Sequence, residues 1–226
     1  MDVQNQINYI SSYTSKLLRS KFGRGPESCS ASLGEKFLVL YIKGFVSPME
    51  EVLIQEKQDT QVDYLRYVVI KSILDELKGV IQVTLEKQVV VINHDWIYPN
   101  NTGVIIVEFE ETVSETDKNV DVDLAALEAE VSRLSWLVQK VPDEILTYQV
   151  TPKMYVVKRI GILVAIEKAL LEKGFENELY LTKDELEKSF FHRDGNFNDI
   201  FKRPVQDIFI DWNLRENNSV ICFVLK

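Results

Sequence analysis

Residues 89–109, VVVINHDWIYPNNTGVIIVEF, predict a β-hairpin, because two apolar, β-branched runs flank a polar turn. A second version of this stretch closes the chain at residues 205–225, VQDIFIDWNLRENNSVICFVL. The matching positions, 116 apart, are Asp95-Trp96 with Asp211-Trp212 and Asn101 with Asn217. The repetition predicts that the chain contains two copies of one unit, arranged in tandem.

The repeat extends upstream of the two hairpins. At the same spacing Pro26 aligns with Pro142, Glu51 with Glu167, Tyr64-Leu65 with Tyr180-Leu181 and Gly79 with Gly195. Each copy reads as a helix, a hairpin, one or more helices and a second hairpin. Two hairpins make a four-stranded antiparallel sheet with the helices on one face, so we expect a two-layer α+β fold in each copy.

The helical segments follow from apolar spacing. Residues 3–21 and 60–86 have apolar side chains at helical intervals, and another helix begins at Leu124. In the second of these the expected buried stripe is Val62, Leu65, Val69, Ile73, Leu77, Ile81 and Leu85. In the second copy we expect residues 179–181 to be extended and a new helix to start at Thr182, which predicts a long helix broken into pieces.

An acidic stretch separates the copies. Residues 108–123 contain seven carboxylates and one basic residue, Lys118. We therefore predict a first repeat at 1–110, an acidic linker at 111–123 and a diverged second repeat at 124–226. The strands are too apolar for sheets with one wet face, so we expect the two repeats to cover each other as a pseudo-dimer, or a homodimer to serve the same purpose.

Composition limits the classes of function. The formal net charge of −9 argues against a general nucleic-acid binder and against binding to an anionic membrane surface. No apolar stretch approaches the roughly 20 residues that span a bilayer, and the start of the chain does not resemble a signal peptide. Cys29 and Cys222 show no metal or redox spacing. We expect a cytoplasmic protein without membrane insertion, cofactor or metal.

The candidate ligand-binding residues are few. Arg24, between two glycines in FGRGP, could hold an anion, although a plain helix stop explains this segment better. His94, Asp95 and Trp96 form the segment whose side chains are best suited to act as a base or to bind a ligand. Asp211 and Trp212 are the counterparts of Asp95 and Trp96 in the second copy. Neighbouring strand residues point to opposite faces, so a structural role is favoured over a His94–Asp95 pair. We expect each aspartate to bond to turn backbone and each tryptophan to pack at the end of its sheet.

Three motifs carry a resemblance to a known family: FGRGPES, GFVSPMEEVLI and the DW dipeptide before a polar turn. Together they resemble the small bacterial family named for the Na+-translocating membrane potential-generating system, the MpsC or YbcI-like domain of Bacillus-type bacteria. The resemblance covers residues 5–110 well and residues 121–226 more weakly, because residues 138–142 replace the FGRGP loop. It implies an accessory or regulatory protein near a membrane system for ion or inorganic-carbon transport, and it implies no catalytic residues.

Three hypotheses of function follow. The first is a non-enzymatic binding or regulatory protein that acts through protein partners, with a membrane transport component as a candidate. The second is an enzyme or small-ligand-binding protein with a site between the repeats. The third is a winged-helix-like nucleic-acid regulator with a basic side at Lys183, Lys188, Arg193, Lys202 and Arg203, which nearby carboxylates and the net charge weaken.

Overall fold

The computed structural model describes residues 2–115 and 122–226 of the chain. These residues form two compact units, unit 1 up to Glu115 and unit 2 from residue 122 onward. Each unit has a hydrophobic core built only from its own side chains. Residues 116–121 of the predicted acidic linker lie outside the described residues, and the predicted repeat boundaries stay a prediction.

Unit 1 is a two-layer α+β structure. Its elements are α1 (Val3–Phe22), β1 (Ser28–Gly34), β2 (Phe37–Lys43), α2 (Pro48–Gln55), α3 (Asp59–Leu85), β3 (Val89–Ile97) and β4 (Thr102–Phe109). The strands form an antiparallel sheet in the order β1-β2-β4-β3. Apolar side chains of α1 and α3 pack on one face of this sheet, which is the predicted architecture.

Unit 2 repeats the arrangement. Its elements are α4 (Leu124–Val138), β5 (Glu144–Thr151), β6 (Met154–Ile160), α5 (Ala165–Glu172), α6 (Glu176–Asp194), α7 (Phe197–Phe201), β7 (Val205–Asn213) and β8 (Asn218–Leu225). The strand order β5-β6-β8-β7 matches that of unit 1. The two sheet-and-helix units are consistent with a tandem duplication, which itself stays a prediction.

The strand register shows where the spacing between equivalent residues of the two units increases by one. β3 and β7 both have a bulge after their first residue, at Val89 and Val205. The hairpin of β5 and β6 has a further irregularity between Gln149 and Thr151, which the hairpin of β1 and β2 does not have. Equivalent residues are therefore 117 positions apart from β2 onward, and 116 apart again in the last hairpin. The predicted alignment of Glu51 with Glu167 is wrong by one residue.

Each closing hairpin is fastened to the rest of its unit by an asparagine. Asn101 and Asn217 have φ angles of 49° and 53°, a left-handed conformation that asparagine tolerates better than most residues. The Asn101 Oδ1 atom accepts hydrogen bonds from the backbone N–H groups of Phe45 and Val46, both at 2.8 Å. The Asn217 Oδ1 atom accepts one from Leu163 N at 2.7 Å.

Two expectations about helices are wrong. Leu65 was expected to be buried but is 47% exposed. In this turn of α3 the buried residue is Arg66, because the buried side of the helix runs through Val62, Arg66 and Ile70. Residues 179–182 are not extended and start no new helix, since α6 is continuous through them. The predicted break of the long helix does occur, but at Gly195, between α6 and α7.

The second face of each sheet is also apolar. In unit 1 the cross-strand pairs Val39–Ile106 and Tyr41–Val104 alternate with the core-facing residues and therefore lie on the opposite face. In unit 2 the pair Val156–Cys222 has the same position. The predicted pseudo-dimer, in which these faces cover each other, stays a prediction. Within the described residues, no helix combines the length and apolarity required to cross a bilayer.

Candidate functional site

The centre of unit 1 holds a buried ion pair between α2 and α3. Ser47 caps α2, and the Glu50 Oε2 atom accepts a hydrogen bond from the Ser47 backbone N–H at 2.7 Å. Arg66 reaches the same carboxylate from α3, with Nε 2.7 Å from Oε1 and Nη2 3.0 Å from Oε2. Arg66 Nη2 also donates to the Phe45 carbonyl at 3.1 Å. This two-pronged geometry is the strongest form of an arginine–carboxylate contact.

Three aromatic rings enclose the Arg66 guanidinium. Its central carbon lies 4.5 Å from the centre of the Trp96 ring, 5.0 Å from that of Phe45 and 5.4 Å from that of Tyr98. The Tyr98 hydroxyl in turn donates to the Asp63 carboxylate on α3. Burial, together with the charge of Asp63, raises the pKa of Tyr98 above its ordinary value. Arg66 therefore joins α2, α3 and the end of β3 into one cluster.

Unit 2 keeps this ion pair with lysine in place of arginine. Glu167 and Lys183 stand 117 positions after Glu50 and Arg66. The Glu167 Oε2 atom accepts a hydrogen bond from Val164 N at 2.9 Å, as Glu50 does from its own cap. Lys183 Nζ lies 3.2 Å from Glu167 Oε1. The matching contacts show that the two ion pairs occupy equivalent positions in the two units.

A second buried ion pair exists in unit 2. Arg159 Nη2 lies 2.6 Å from Glu187 Oε2, and Lys183 Nζ lies 2.8 Å from Glu187 Oε1. Arg159 also donates from Nε to Ser219 Oγ at 2.7 Å and from Nη1 to Ser135 Oγ at 3.1 Å. Together with Glu167, two cations and two carboxylates thus meet inside the unit, and their formal charges balance.

The residues that hold this second pair replace apolar or small residues of unit 1. The buried stripes of α1 and α4 match at a spacing of 117, which makes Leu18 equivalent to Ser135. The other equivalent positions are Ile42 and Arg159, Ile70 and Glu187, and Gly103 and Ser219. All four unit 2 residues are buried, as are Leu18, Ile42 and Ile70. The same place in the fold is therefore filled by hydrocarbon in unit 1 and by a hydrogen-bonded charge cluster in unit 2.

This difference explains why Trp96 and Trp212 make different contacts. In unit 2 the Trp212 Nε1 atom donates to Glu187 Oε1 at 3.1 Å. In unit 1 the residue equivalent to Glu187 is Ile70, and Trp96 Nε1 is buried with no hydrogen-bond partner among the described residues. Trp96 instead stacks on Arg66 and lies against Gly103, where an added Cβ atom would stand 2.0 Å from its ring.

A pocket opens onto the charge cluster of unit 2. Its cavity volume is about 10 Å³, and it is lined by Ser135, Gln139, Arg159, Glu187 and the more exposed Lys140, among others. A cavity of this size has room for about one water molecule. Burial by itself would raise the pKa of Glu187, but the charges of Arg159 and Lys183 outweigh it and hold that pKa below its usual range.

His94 and Asp95 lie on opposite faces of the sheet, as expected for neighbouring strand residues. His94 pairs across the sheet with the core residue Ile105, whereas Asp95 pairs with Val104 on the opposite face. The Asp95 and Asp211 Oδ1 atoms accept from the backbone N–H of the next residue, Trp96 or Trp212, at 2.6 and 2.9 Å. These contacts lie within the strands, and Asp211 Oδ1 also accepts from the Tyr180 hydroxyl at 2.8 Å. The expected bonds to turn backbone stay a prediction.

Arg24 lies apart from these clusters, on the exposed loop after α1. The helix ends at Gly23, which has a φ of 72°. This is the left-handed glycine that commonly terminates helices. Of the basic residues in the winged-helix hypothesis, Lys183 is 4% exposed and bound to Glu167 and Glu187, so it cannot reach a phosphate backbone.

Sequence reasoning missed both charge clusters, because their members come from elements distant in the chain. Two local signals were present. Arg66 stands four residues after Val62 and four before Ile70, inside an apolar stripe. Lys183 and Glu187 have the i, i+4 spacing of a helical ion pair.

Fold and site together define the class: a two-unit α+β protein in which each unit packs helices on an antiparallel four-stranded sheet and buries an ion pair beside the first turn of a short helix. Residues 4–111 match the family model described as Na+-translocating membrane potential-generating system (MpsC), and this match spans nearly the whole of unit 1. No curated protein and no solved structure matches the chain.

Proposed function

We propose that this chain is an accessory or regulatory binding protein of a Na+-translocating membrane potential-generating system, with a component of that system as its partner. The observation that carries the proposal is the family match, which spans nearly the whole of unit 1. The link to inorganic-carbon transport and the non-enzymatic mode of action belong to the same proposal.

The geometry of unit 1 supports a binding role. The buried Arg66 and Glu50 side chains bind each other and the backbone of Phe45 and Ser47. They join α2 to α3 and so fix the surface that these helices present. A rigid helical surface is well suited to recognising a partner protein.

Membrane potential in the source organism tests the proposal. A strain without the chain is compared with the wild type and with a complemented strain, using a potential-sensitive dye in sodium medium and in potassium medium. We expect the sodium-dependent part of the potential to fall in the deletion strain and to return on complementation. An unchanged sodium response in the deletion strain would reject the proposal, and the potassium medium controls for general damage.

A further inference from the structure

We propose that α3 of unit 1 carries a self-association surface through which two copies of this chain pair. The surface, named here the α3 stripe, consists of Tyr64, Leu65 and Val68, which are 61%, 47% and 49% exposed. Their spacing places them on one side of the helix, away from the buried Val62 and Ile70. Contiguous exposed apolar side chains of this size mark interaction sites more often than isolated ones do.

Unit 2 shows that the fold does not need this stripe. The shared ion pair aligns Arg66 with Lys183, so Tyr64, Leu65 and Val68 correspond to Leu181, Thr182 and Glu185 on α6. Leu181 is partly buried, whereas Thr182 and Glu185 are exposed and polar. The same helix in the same architecture therefore tolerates polar side chains here, and the apolar residues of α3 need another explanation.

The charges beside the stripe favour a second copy as its partner. Lys57 lies just before α3, and Asp75 lies two turns beyond Val68. In an antiparallel pair of α3 helices with a twofold axis between Leu65 and Val68, Leu65 faces Val68 of the second copy. Lys57 then lies near Asp75 of the second copy, so opposite charges meet at both ends.

Other arrangements of the stripe fit the charges less well. A parallel pair of α3 helices would place Lys57 beside Lys57 and Asp75 beside Asp75. An anionic lipid surface would meet a chain with a formal net charge of −9. Tyrosine and leucine side chains flanked by complementary charges are typical of a protein contact.

Sedimentation equilibrium of the purified full chain tests the pairing. We expect a reversible dimer for the wild type and a rise of at least about tenfold in the dimer dissociation constant for Leu65→Glu/Val68→Glu. The matched control is Ile166→Glu on α5 of unit 2, since Ile166 is 70% exposed, and it should dimerise like the wild type. Circular dichroism confirms that each variant is folded.

Exchanging the charges at residues 57 and 75 distinguishes pairing of two copies from any other contact of the α3 stripe. Lys57→Glu should weaken the dimer, because it places a carboxylate near Asp75 of the other copy in both halves of the contact. Adding Asp75→Lys to the same chain should restore the dimer, since the pair of charges is only reversed.

Three results would overturn the proposal: a wild type that stays monomeric over a wide concentration range, a dimer unaffected by Leu65→Glu/Val68→Glu, or a monomer that instead co-sediments with phosphatidylcholine–phosphatidylglycerol vesicles. The measurement uses purified protein without any transport system. Its outcome is therefore independent of the membrane-potential experiment, and either proposal can fail alone.

Discussion

Arg66 and Lys183 occupy the same position in the two units, and each binds the glutamate beside the first turn of the preceding helix. Arg66 holds Glu50 through two hydrogen bonds and is surrounded by aromatic rings. Lys183 divides its contacts among Glu167, Glu187 and Gln139. One ion pair thus occurs in both units, and its surroundings are aromatic in unit 1 and charged in unit 2.

Replacing Arg66 by alanine is expected to destabilise unit 1 by about 3–5 kcal/mol, because Glu50 would remain buried without its cation. Arg66→Lys should cost less, about 1.5–3 kcal/mol, since it keeps the charge but loses one hydrogen bond to the carboxylate. Urea unfolding followed by tryptophan fluorescence measures both. An alanine variant as stable as the wild type would contradict this account.

Acid should weaken the protein through these glutamates. Burial acts to raise the pKa of Glu50, but the hydrogen bonds and charge of Arg66 outweigh it, so that pKa lies below its ordinary value. A lowered folded-state pKa gives stability that is present above the unfolded pKa, about 4.3 for glutamate, and is lost as pH falls through the folded pKa. Urea unfolding at a series of pH values should show this loss. The double variant Glu50→Leu/Arg66→Met should lose less stability in acid, and an identical acid slope would count against the role of this pair.

Gly103 should not tolerate a side chain. An added Cβ atom would lie 2.0 Å from the Trp96 ring, so Gly103→Ala is expected to destabilise the protein by about 1–3 kcal/mol or more. Gly79 on α3 is the matched control, because no atom lies within 4 Å of its added Cβ. Gly79→Ala should stabilise the helix by about 0.5–1 kcal/mol. Thermal melts that rank the two variants in the reverse order would refute the packing described here.

Asn101 should be required for its amide oxygen as well as for its backbone conformation. Asn101→Gly keeps the left-handed φ but leaves the N–H groups of Phe45 and Val46 without this acceptor, at about 1–3 kcal/mol each where they are buried. Asn101→Asp keeps an acceptor and should cost less. Hydrogen exchange at the two amides, together with urea unfolding, measures the effect. Equal stability of both variants would show that only the conformation matters.

The predicted pairing of the two units can be tested by separation. Chains of residues 1–115 and 122–226 should each show helix and sheet by circular dichroism, because each unit has its own core. Each should self-associate or bind the other on mixing, because the second face of its sheet carries apolar pairs such as Val39–Ile106 and Val156–Cys222. Two fragments that remain monomeric and ignore each other would disprove the pseudo-dimer.

Local patterns in the sequence were sufficient for the sheet hairpins and for most helices. The β3–β4 hairpin follows from alternating apolar runs around a turn, and α4 begins at Leu124 as its spacing predicts. The family resemblance of unit 1 was equally visible in short motifs and is confirmed.

The clusters inside the units could not be predicted in the same way. Leu65 looked like a core residue because leucine is usually buried, but the helix turns Arg66 inward to meet Glu50, which is 16 residues away. The partners of Arg159 come from α4, α6 and β8, up to 60 residues away in the chain. Contacts over such distances leave no periodic signal in a single sequence.

The charge cluster of unit 2 also limits which residues of one unit can be replaced by their counterparts from the other. Placing the arginine of unit 2 at Ile42 alone would bury a cation without a carboxylate of its own, and placing isoleucine at Arg159 alone would leave Lys183 as the cation shared by Glu167 and Glu187. The four residues that differ here, Ser135, Arg159, Glu187 and Ser219 in unit 2, are therefore expected to be exchangeable only together. A chimeric chain in which one short segment of one unit replaced its counterpart in the other would therefore contain an unbalanced buried charge, so the two units are not interchangeable piece by piece.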